Sequence, residues 1–456
     1  MRVVNPATGE VLREVAEADR AAVAAAYRRA RGAQPGWAAT PLAARVEAIR
    51  RFRALVVERA EPLARTLTLE VGKPIIQARS ELAGLLPRLD FFLAEAAGAL
   101  ADEVVLARPA ERLEERIRRE PLGLVANVSA WNYPWYVGAN VFVPALLTGN
   151  AVLYKPSEFA TLTGLAIAEL LYQAGIPADV FQALVGGGDV GAMLVAEPVD
   201  AVCFTGSHAT GLKVAAAAAP RLVKVQLELG GKDPAYVCDD VDVAAAAAAV
   251  ADGAFYNTGQ SCCAVERVYV HDRIWARFVD AFVETVRGWV VGDPLEERTY
   301  IGPLARREAA LGLLEAQVAD ALGRGARVLV GGRRLERPGF FFAPTVLVDV
   351  DHRMRVMREE TFGPLVGLAR VGSDDEALAL MNDTDYGLTA AVYTPDRARA
   401  ERLLARVNTG TAYWNCCDRV SPRLPWTGRG ASGLGVTLAR EGIAAFVRPK
   451  AWHLRG

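Results

Sequence analysis

The stretch from Asn150 to Gly175 constrains the fold more than any other part of the chain. Asn150 to Tyr154 is an apolar strand candidate, and Lys155-Pro156-Ser157-Glu158 is a turn with Ser157 placed as a helix N-cap. Ile167, Leu170, Leu171 and Ala174 then recur at helical spacing, and Gly175 followed by Pro177 ends the helix. A buried strand feeding a helix is the unit of layered α/β proteins. A second unit runs from a strand at 200–204 through Thr205-Gly206-Ser207 into a helix starting near Ala209. A third strand, Leu222 to Leu229, meets Gly230-Gly231, after which the pattern restarts. Helices are predicted at 242–252, 273–290, 305–323, 374–382 and 396–406, and strands at 267–271, 326–330 and 388–394. This reads as a second α/β domain. The first hundred residues are rich in Ala, Arg and Glu at helical spacing and carry no clear strand. Residues 107–122 and the tail from Phe446 to Arg455 fit neither domain and read as edge strands, which proteins often cover by pairing with another chain.

A chain of 456 residues is too long for one core, so two or three domains are expected. The net charge of -1 offers no electrostatic footprint for nucleic acid or an anionic membrane. The purest apolar run, Val243 to Ala251, is too short to span a bilayer, and Met1-Arg2-Val3-Val4-Asn5-Pro6 turns polar too early for a secretory signal. A soluble cytoplasmic protein is expected. The cysteines Cys203, Cys238, Cys262, Cys263, Cys416 and Cys417 include two vicinal pairs but no C-x-x-C, and the four His are far apart, so neither a disulfide framework nor a metal site is expected.

Cys262 follows Phe255-Tyr256-Asn257-Thr258-Gly259-Gln260-Ser261. Glycine there permits a tight backbone that can present the thiol to a substrate, and the thiolate is the reactive form. The same residue type is equally at home as a small buried core side chain. Gly186-Gly187-Gly188-Asp189-Val190-Gly191 fits the G-x-G-x-x-G dinucleotide fingerprint, a weak signal when it stands alone.

Taken together, the motifs are more specific. Phe255 to Ala264 resembles the active-site cysteine signature of the aldehyde dehydrogenase superfamily, and Leu227-Glu228-Leu229-Gly230-Gly231-Lys232 resembles its glutamate signature. Trp131-Asn132-Tyr133-Pro134, Lys155-Pro156-Ser157-Glu158, Phe204-Thr205-Gly206-Ser207 with Gly211, and Glu359-Glu360-Thr361-Phe362-Gly363-Pro364 match in the same order and spacing. The resemblance extends from Asn5-Pro6-Ala7-Thr8-Gly9 to Ser432-Gly433-Leu434-Gly435.

The resemblance implies three parts. These are a variant Rossmann NAD-binding domain (1–105 and 122–230), an α/β catalytic domain (231–440) and a small oligomerisation β element (106–121 and 441–456). It implies that Cys262 attacks the aldehyde to form a thiohemiacetal, with the Asn132 amide and the Cys262 N–H holding the oxyanion. Glu228 is implied as the base that activates water on the thioester. The alternatives are a solvated or ion-paired carboxylate for Glu228 and a turn residue for Asn132. Implied cofactor residues are Trp131, Lys155, Ser157, Glu158, Thr205, Gly206, Ser207, Glu360 and Phe362. Glu158 can accept both adenosine ribose hydroxyls and its charge repels a 2′-phosphate, which favours NAD over NADP without being exclusive to it. The family binds NAD without the G-x-G-x-x-G run in its usual role.

Substrate choice is expected from Tyr133, Tyr256 and Trp426. Aromatic residues at these positions form a trimethylammonium box in betaine aldehyde dehydrogenases, and the Trp414-Asn415-Cys416 loop also resembles those enzymes. A fourth box aromatic is replaced by Asn140. Amino-aldehydes therefore lead, followed by aromatic or aliphatic aldehydes. Succinate semialdehyde would need an Arg for its carboxylate; relatives that use it have that Arg at the place of Asn140, and Arg419 or Arg423 could substitute. Two further departures are Val141, where some members have a relay Lys, and Thr437, where a Glu is frequent. Glu266 also stands where most relatives have a small residue, leaving a structural and a pKa-tuning role both open. CoA-acylating relatives lack a glutamate at Glu228, and a purely structural protein recruited from the fold would not need Cys262, Glu228 and Asn132 intact. A homodimer or homotetramer with symmetric interfaces is expected.

Overall fold

The computed structural model describes residues 1–456. Its first sheet has six strands in the order Gly433–Leu434, Lys224–Glu228, Ala201–Thr205, Leu124–Val128, Ala151–Lys155, Phe181–Ala183. The last five are mutually parallel, and Gly433–Leu434 is antiparallel to its neighbour. Leu124–Val128 and Ala151–Lys155 are buried throughout, as expected of strands covered on both faces by helices. The chain builds outward from Leu124–Val128 to Phe181–Ala183, then returns to build on the other side from Ala201–Thr205. The topological switch therefore lies between Leu124–Val128 and Ala201–Thr205, where open α/β sheets bind ligands beyond their strand ends.

The second sheet has seven strands in the order Arg327–Val330, Thr345–Val348, Leu365–Val371, Val265–His271, Asp233–Val237, Thr389–Tyr393, Thr411–Trp414. Only the edge strand Arg327–Val330 is antiparallel. Helices Val243–Phe255 and Trp275–Arg287 pack on one face. Glu308–Gly323, Asp374–Asn382 and Arg397–Leu404 pack on the other. No helix is long and apolar enough to cross a membrane.

The helical periods thus fall where the sequence puts them, within a few residues at the ends. Three expectations are corrected. The first hundred residues contain a short hairpin, Arg2–Val4 with Val11–Glu14. Ser157 does not cap a helix. Its hydroxyl accepts from Phe159 N at 3.3 Å, and the helix begins at Thr161. Its free N–H groups at Leu162 and Thr163 donate instead to the Glu70 carboxylate, at 2.8 and 2.6 Å. The boundary at 440 is not clean: Gly433 pairs with Glu228 in the first sheet, and helix Ala439–Ala444 packs on helix Ile75–Leu100. The two edge-strand candidates pair with each other, Val447↔Pro121 through Arg455↔Leu113, in a three-stranded antiparallel sheet with Glu103–Arg108.

Arg267 ties the second sheet to its helices. It is fully buried, its Nε donates to Lys232 O at 2.8 Å, and its two Nη groups reach Leu380 O and Met381 O at 3.0 Å each. The Leu380 and Met381 carbonyls lie in the last turn of helix Asp374–Asn382, where Leu380 O also accepts from Asp383 N at 3.2 Å and Met381 O has no other donor. Arg267→Met should fill the space but orphan the carbonyls of Lys232 and Met381, so denaturant unfolding should show a loss of about 2–4 kcal/mol. A loss below half a kcal/mol would show that the guanidinium is not the anchor.

Candidate active site

The first sheet's parallel strands all point the same way, and the functional candidates collect at their C-terminal ends. Lys155 ends Ala151–Lys155, Thr205 ends Ala201–Thr205 and Glu228 ends Lys224–Glu228. Trp131 and Asn132 follow Leu124–Val128 just before helix Pro134–Leu147.

Cys262 comes from the other domain, on a loop leading into Val265–His271. Asn257, Thr258 and Gly259 all have positive φ (54°, 60° and 69°), which turns the chain sharply after helix Val243–Phe255. Gly259 is required there, since a Cβ would lie 2.2 Å from Gly363 O. Asn257 is pinned from both ends: its N–H donates to Gln77 Oε1 at 2.9 Å, and its Nδ2 donates to Asn132 O at 3.2 Å and Gln260 O at 3.0 Å. Gly302 N donates to Thr258 Oγ1 at 2.9 Å, and Ala305 N to Gln260 Oε1 at 3.0 Å. The Cys262 loop is therefore fastened to the segment that carries Asn132.

The Cys262 Sγ lies 3.8 Å from Glu228 Oε1. The proximity of the Cys263 thiol lowers the Cys262 pKa, but burial and the charges of Glu228, Asp418 and Asp233 outweigh it and hold the thiol above its ordinary range. Glu228 is buried, and burial pushes its pKa up; the Trp426 hydrogen bond and the charge of Arg88 oppose this. Trp426 Nε1 donates to Glu228 Oε1 at 2.8 Å, and Thr205 Oγ1 lies 3.5 Å from Oε2. Asn132 is buried, with its carbonyl accepting from Lys73 Nζ at 2.7 Å and from Asn257. Its side-chain amide and the N–H of Cys262 donate to no protein group, so both are free to serve an oxygen bound at Cys262.

The cofactor candidates line the switch point. Lys155 Nζ is 3.4 Å from Glu158 Oε2, with Ser157 Oγ 3.3 Å from the same oxygen. Ser207 caps helix His208–Ala218, accepting from Thr210 N, so Gly206 and Ser207 stand at a positive helix end. Glu360 Oε1 accepts from Gly231 N at 3.1 Å, and burial first, with the charge of Glu266 adding to it, pushes the Glu360 carboxyl up to about 8. Trp131 packs edge-on against Phe362 at 5.4 Å. Carboxylates for two sets of ribose hydroxyls, a helix N-terminus between them and apolar rings at one end form a donor set that fits a dinucleotide. The G-x-G-x-x-G run lies beyond Phe181–Ala183, two strands from the switch point, and opens helix Gly188–Ala196.

The expected substrate aromatics are employed differently from an open cation box. Tyr133 already has the Lys73 ammonium 3.7 Å from its ring centroid and stacks on Tyr136 at 5.7 Å. Trp426 is committed through its N–H to Glu228, and Tyr256 sits half-buried at the start of the nucleophile loop. Arg419 and Arg423 are exposed. The Cys263 thiol donates to Asp418 Oδ1 at 2.9 Å. Cys416 and Cys417 are free thiols, and Cys417 packs in the second core with Tyr393 Oη 3.1 Å away.

Several residues of the site carry no sequence signal of their own. Lys73 and Glu81 form a fully buried ion pair from one helix entry, and Glu81 also accepts from Trp135 N at 3.0 Å. Arg88 and Asp418 are likewise visible only in three dimensions. The Gly72-Lys73-Pro74 break between two helices is the one cue that could have drawn attention to Lys73.

Glu266 acquires a role. Buried on Val265–His271, its carboxylate accepts from Thr361 N at 2.8 Å, Phe362 N at 2.9 Å and Lys232 Nζ at 2.7 Å. It clamps the loop that carries Glu360 and Phe362, the latter at a φ of 51°. Glu266→Ala should raise the KM for the dinucleotide about 10-fold or more while changing the KM for aldehyde far less. Equal shifts in both constants would count against a positioning role.

The aldehyde dehydrogenase family model matches residues 1–452. The chain is 36% identical to a peroxisomal aminoaldehyde dehydrogenase of Malus domestica over 98% of its own length and 91% of that protein. It is 37% identical to an NADP(+) succinate-semialdehyde dehydrogenase of Deinococcus radiodurans, over 98% and 93%. Its structure matches that of a betaine aldehyde dehydrogenase from Staphylococcus aureus in complex with NAD+, with a TM-score of 0.96 at 30% identity, covering 100% of this chain and 94% of that one. The arrangement of Cys262, Glu228 and Asn132 around a dinucleotide-shaped switch point and these matches agree: the chain belongs to the aldehyde dehydrogenase family.

Proposed function

We propose that this NAD(P)-dependent aldehyde dehydrogenase oxidises its aldehyde by a hydrolytic, two-stage route through Cys262. The observation that carries the reading is the 3.8 Å approach of the Cys262 thiol to Glu228, on a loop bonded to Asn132. Glu228 takes the thiol proton and Cys262 adds to the carbonyl carbon. The amide of Asn132 and the N–H of Cys262 stabilise the resulting oxyanion, a donor of this kind being worth about 3–4 kcal/mol. Lys155, Ser157, Glu158, Thr205, Gly206, Ser207, Trp131, Glu360 and Phe362 would hold the dinucleotide, which would supply the hydride acceptor. That leaves a thioester on Cys262. Once Glu228 has passed the thiol proton on to solvent, it withdraws a proton from water, which displaces the thiolate and releases the acid. Trp426 holds Glu228 in place for both proton transfers. The Glu158 carboxylate supports a preference for NAD over NADP. Glu228 argues against acyl transfer to CoA, and an intact constellation argues against a purely structural role.

Two charged groups bear on the aldehyde. Asp418, bonded to Ser261 and Cys263 on either side of the nucleophile, supports the cationic amino-aldehyde reading, as does the name of the Malus relative. The Lys73 ammonium on the Tyr133 ring weighs against it. The exposed sheet of Glu103–Arg108, Leu113–Pro121 and Val447–Arg455, with Val104 and Val105 half-exposed, supports a homodimer or homotetramer joined there.

Cys262→Ala should abolish NADH formation with every aldehyde; retained turnover would overturn the nucleophile assignment. Glu228→Gln should give a burst of NADH followed by a steady rate lowered about 100-fold or more, as the thioester stalls. Because Glu228 must be ionised to act and its folded pKa is raised, the wild-type hydrolysis rate should climb with pH above the ordinary carboxylate range. The limb should vanish in Glu228→Gln; its persistence there would assign it to another group.

A further inference from the structure

Helix Ile75–Leu100 runs past the active site, fixed to it by the Lys73–Glu81 pair, by Gln77 on Asn257 and by Tyr136 Oη on Ser80 O. Gly84, one turn on, lets the Tyr136 side chain lie against the helix, since a Cβ there would be 2.0 Å from its hydroxyl. One turn further is Arg88. This guanidinium is only 4% exposed, yet it forms no ion pair with any carboxylate. Nη1 donates to Asn140 Oδ1 at 2.9 Å, and the guanidinium lies 4.0 Å from the centroid of the Tyr136 ring. Nε and Nη2 have no hydrogen-bond partner in the protein. Its remaining donors are therefore available to a ligand, whereas Arg267 spends its donors on carbonyls and Lys73 and Lys232 pair with carboxylates.

Its surroundings point toward the reacting centre. Tyr136 stacks on Tyr133, which directly follows Asn132. The charge of Arg88 is felt at both Glu228 and Cys263, which flank the Cys262 sulfur. Asn140 orients the fork and Tyr136 supports its face, so a planar guanidinium is held in place to meet a planar anion.

We propose that Arg88 is a specificity-determining residue that pairs with a carboxylate at the far end of the aldehyde, making ω-oxo carboxylic acids the preferred substrates. This rests on the Cys262 reading above and places such aldehydes ahead of cationic ones. The oxidation itself is unaltered: the aldehyde end becomes a second carboxylate while the distal one stays on Arg88.

The test uses the full-length enzyme with NAD. The oxo acids 4-oxobutanoate, 5-oxopentanoate and 6-oxohexanoate are compared, through their specificity constants, with the n-alkanals and ω-aminoaldehydes of matching length. At least one oxo acid should exceed its alkanal by about 10-fold or more, with the gain in KM, and the saturated dicarboxylate of that length should inhibit competitively. Arg88→Met should erase the preference and the inhibition, and Arg88→Lys should restore part of both. The proposal falls if alkanals or aminoaldehydes match or exceed the oxo acids in the wild type, or if Arg88→Met keeps the preference. The wild-type comparison decides the question even if a variant does not fold. Turnover of alkanals without an oxo-acid preference overturns Arg88 alone. No turnover of any aldehyde with either dinucleotide overturns the Cys262 reading as well.

Discussion

Asn257 and Thr258 hold left-handed backbone conformations that cost about 1–2 kcal/mol each in a residue with a Cβ, and they persist because the surroundings over-determine them. Gln77 from helix Ile75–Leu100, Gly302 and Ala305 beyond strand Thr299–Ile301, and the carbonyl of Asn132 all close on the same few residues. Without that turn Cys262 could not stand between Glu228 and Asn132, because those two belong to a different sheet. The strain is local, and the hydrogen bonds that offset it cross both domains.

Electrostatics follow from the same closure. The Cys262 loop closes over the C-terminal strand ends of the first sheet, so the polar groups gathered there are buried. Glu228, Glu360, Asp418 and Cys262 all have raised pKa values, burial being the first cause for the three carboxyls. A carboxyl raised above its ordinary value holds a proton more firmly than a surface carboxylate, which suits a group that must take one up and pass it on. Trp426 limits how far Glu228 drifts by donating to one oxygen and leaving the other beside Thr205.

Much of this was legible in the sequence because it is local. The strand Ala151–Lys155, the helices and the order of Lys155, Thr205 and Glu228 at strand ends follow from period and punctuation. What escaped was pairing at a distance. Ser157 looks like a cap until Glu70, from a helix about ninety positions earlier, supplies the acceptor. Gly433–Leu434 is too short for a strand pattern, and only its pairing with Leu227 and Glu228 returns it to the first sheet. Trp426 reads as a substrate ring from its position, and that its indole N–H also donates to Glu228 is visible only in three dimensions. Arg88 and Lys73 carry no pattern that marks them in the sequence; burial, which composition cannot reveal, gives them meaning.

The Glu266 clamp has a thermodynamic corollary. Cys262 and Glu266 are four positions apart on one rigid run of backbone, and Glu266 is the anchor of residues 361 and 362. Whatever orders that loop around a bound dinucleotide must also steady the strand that presents the sulfur. Linkage is reciprocal, so an adduct on Cys262 should alter dinucleotide affinity by the same factor that dinucleotide alters the adduct's stability. Two successive half-reactions at one sulfur would then be timed by the tightness of a single buried carboxylate.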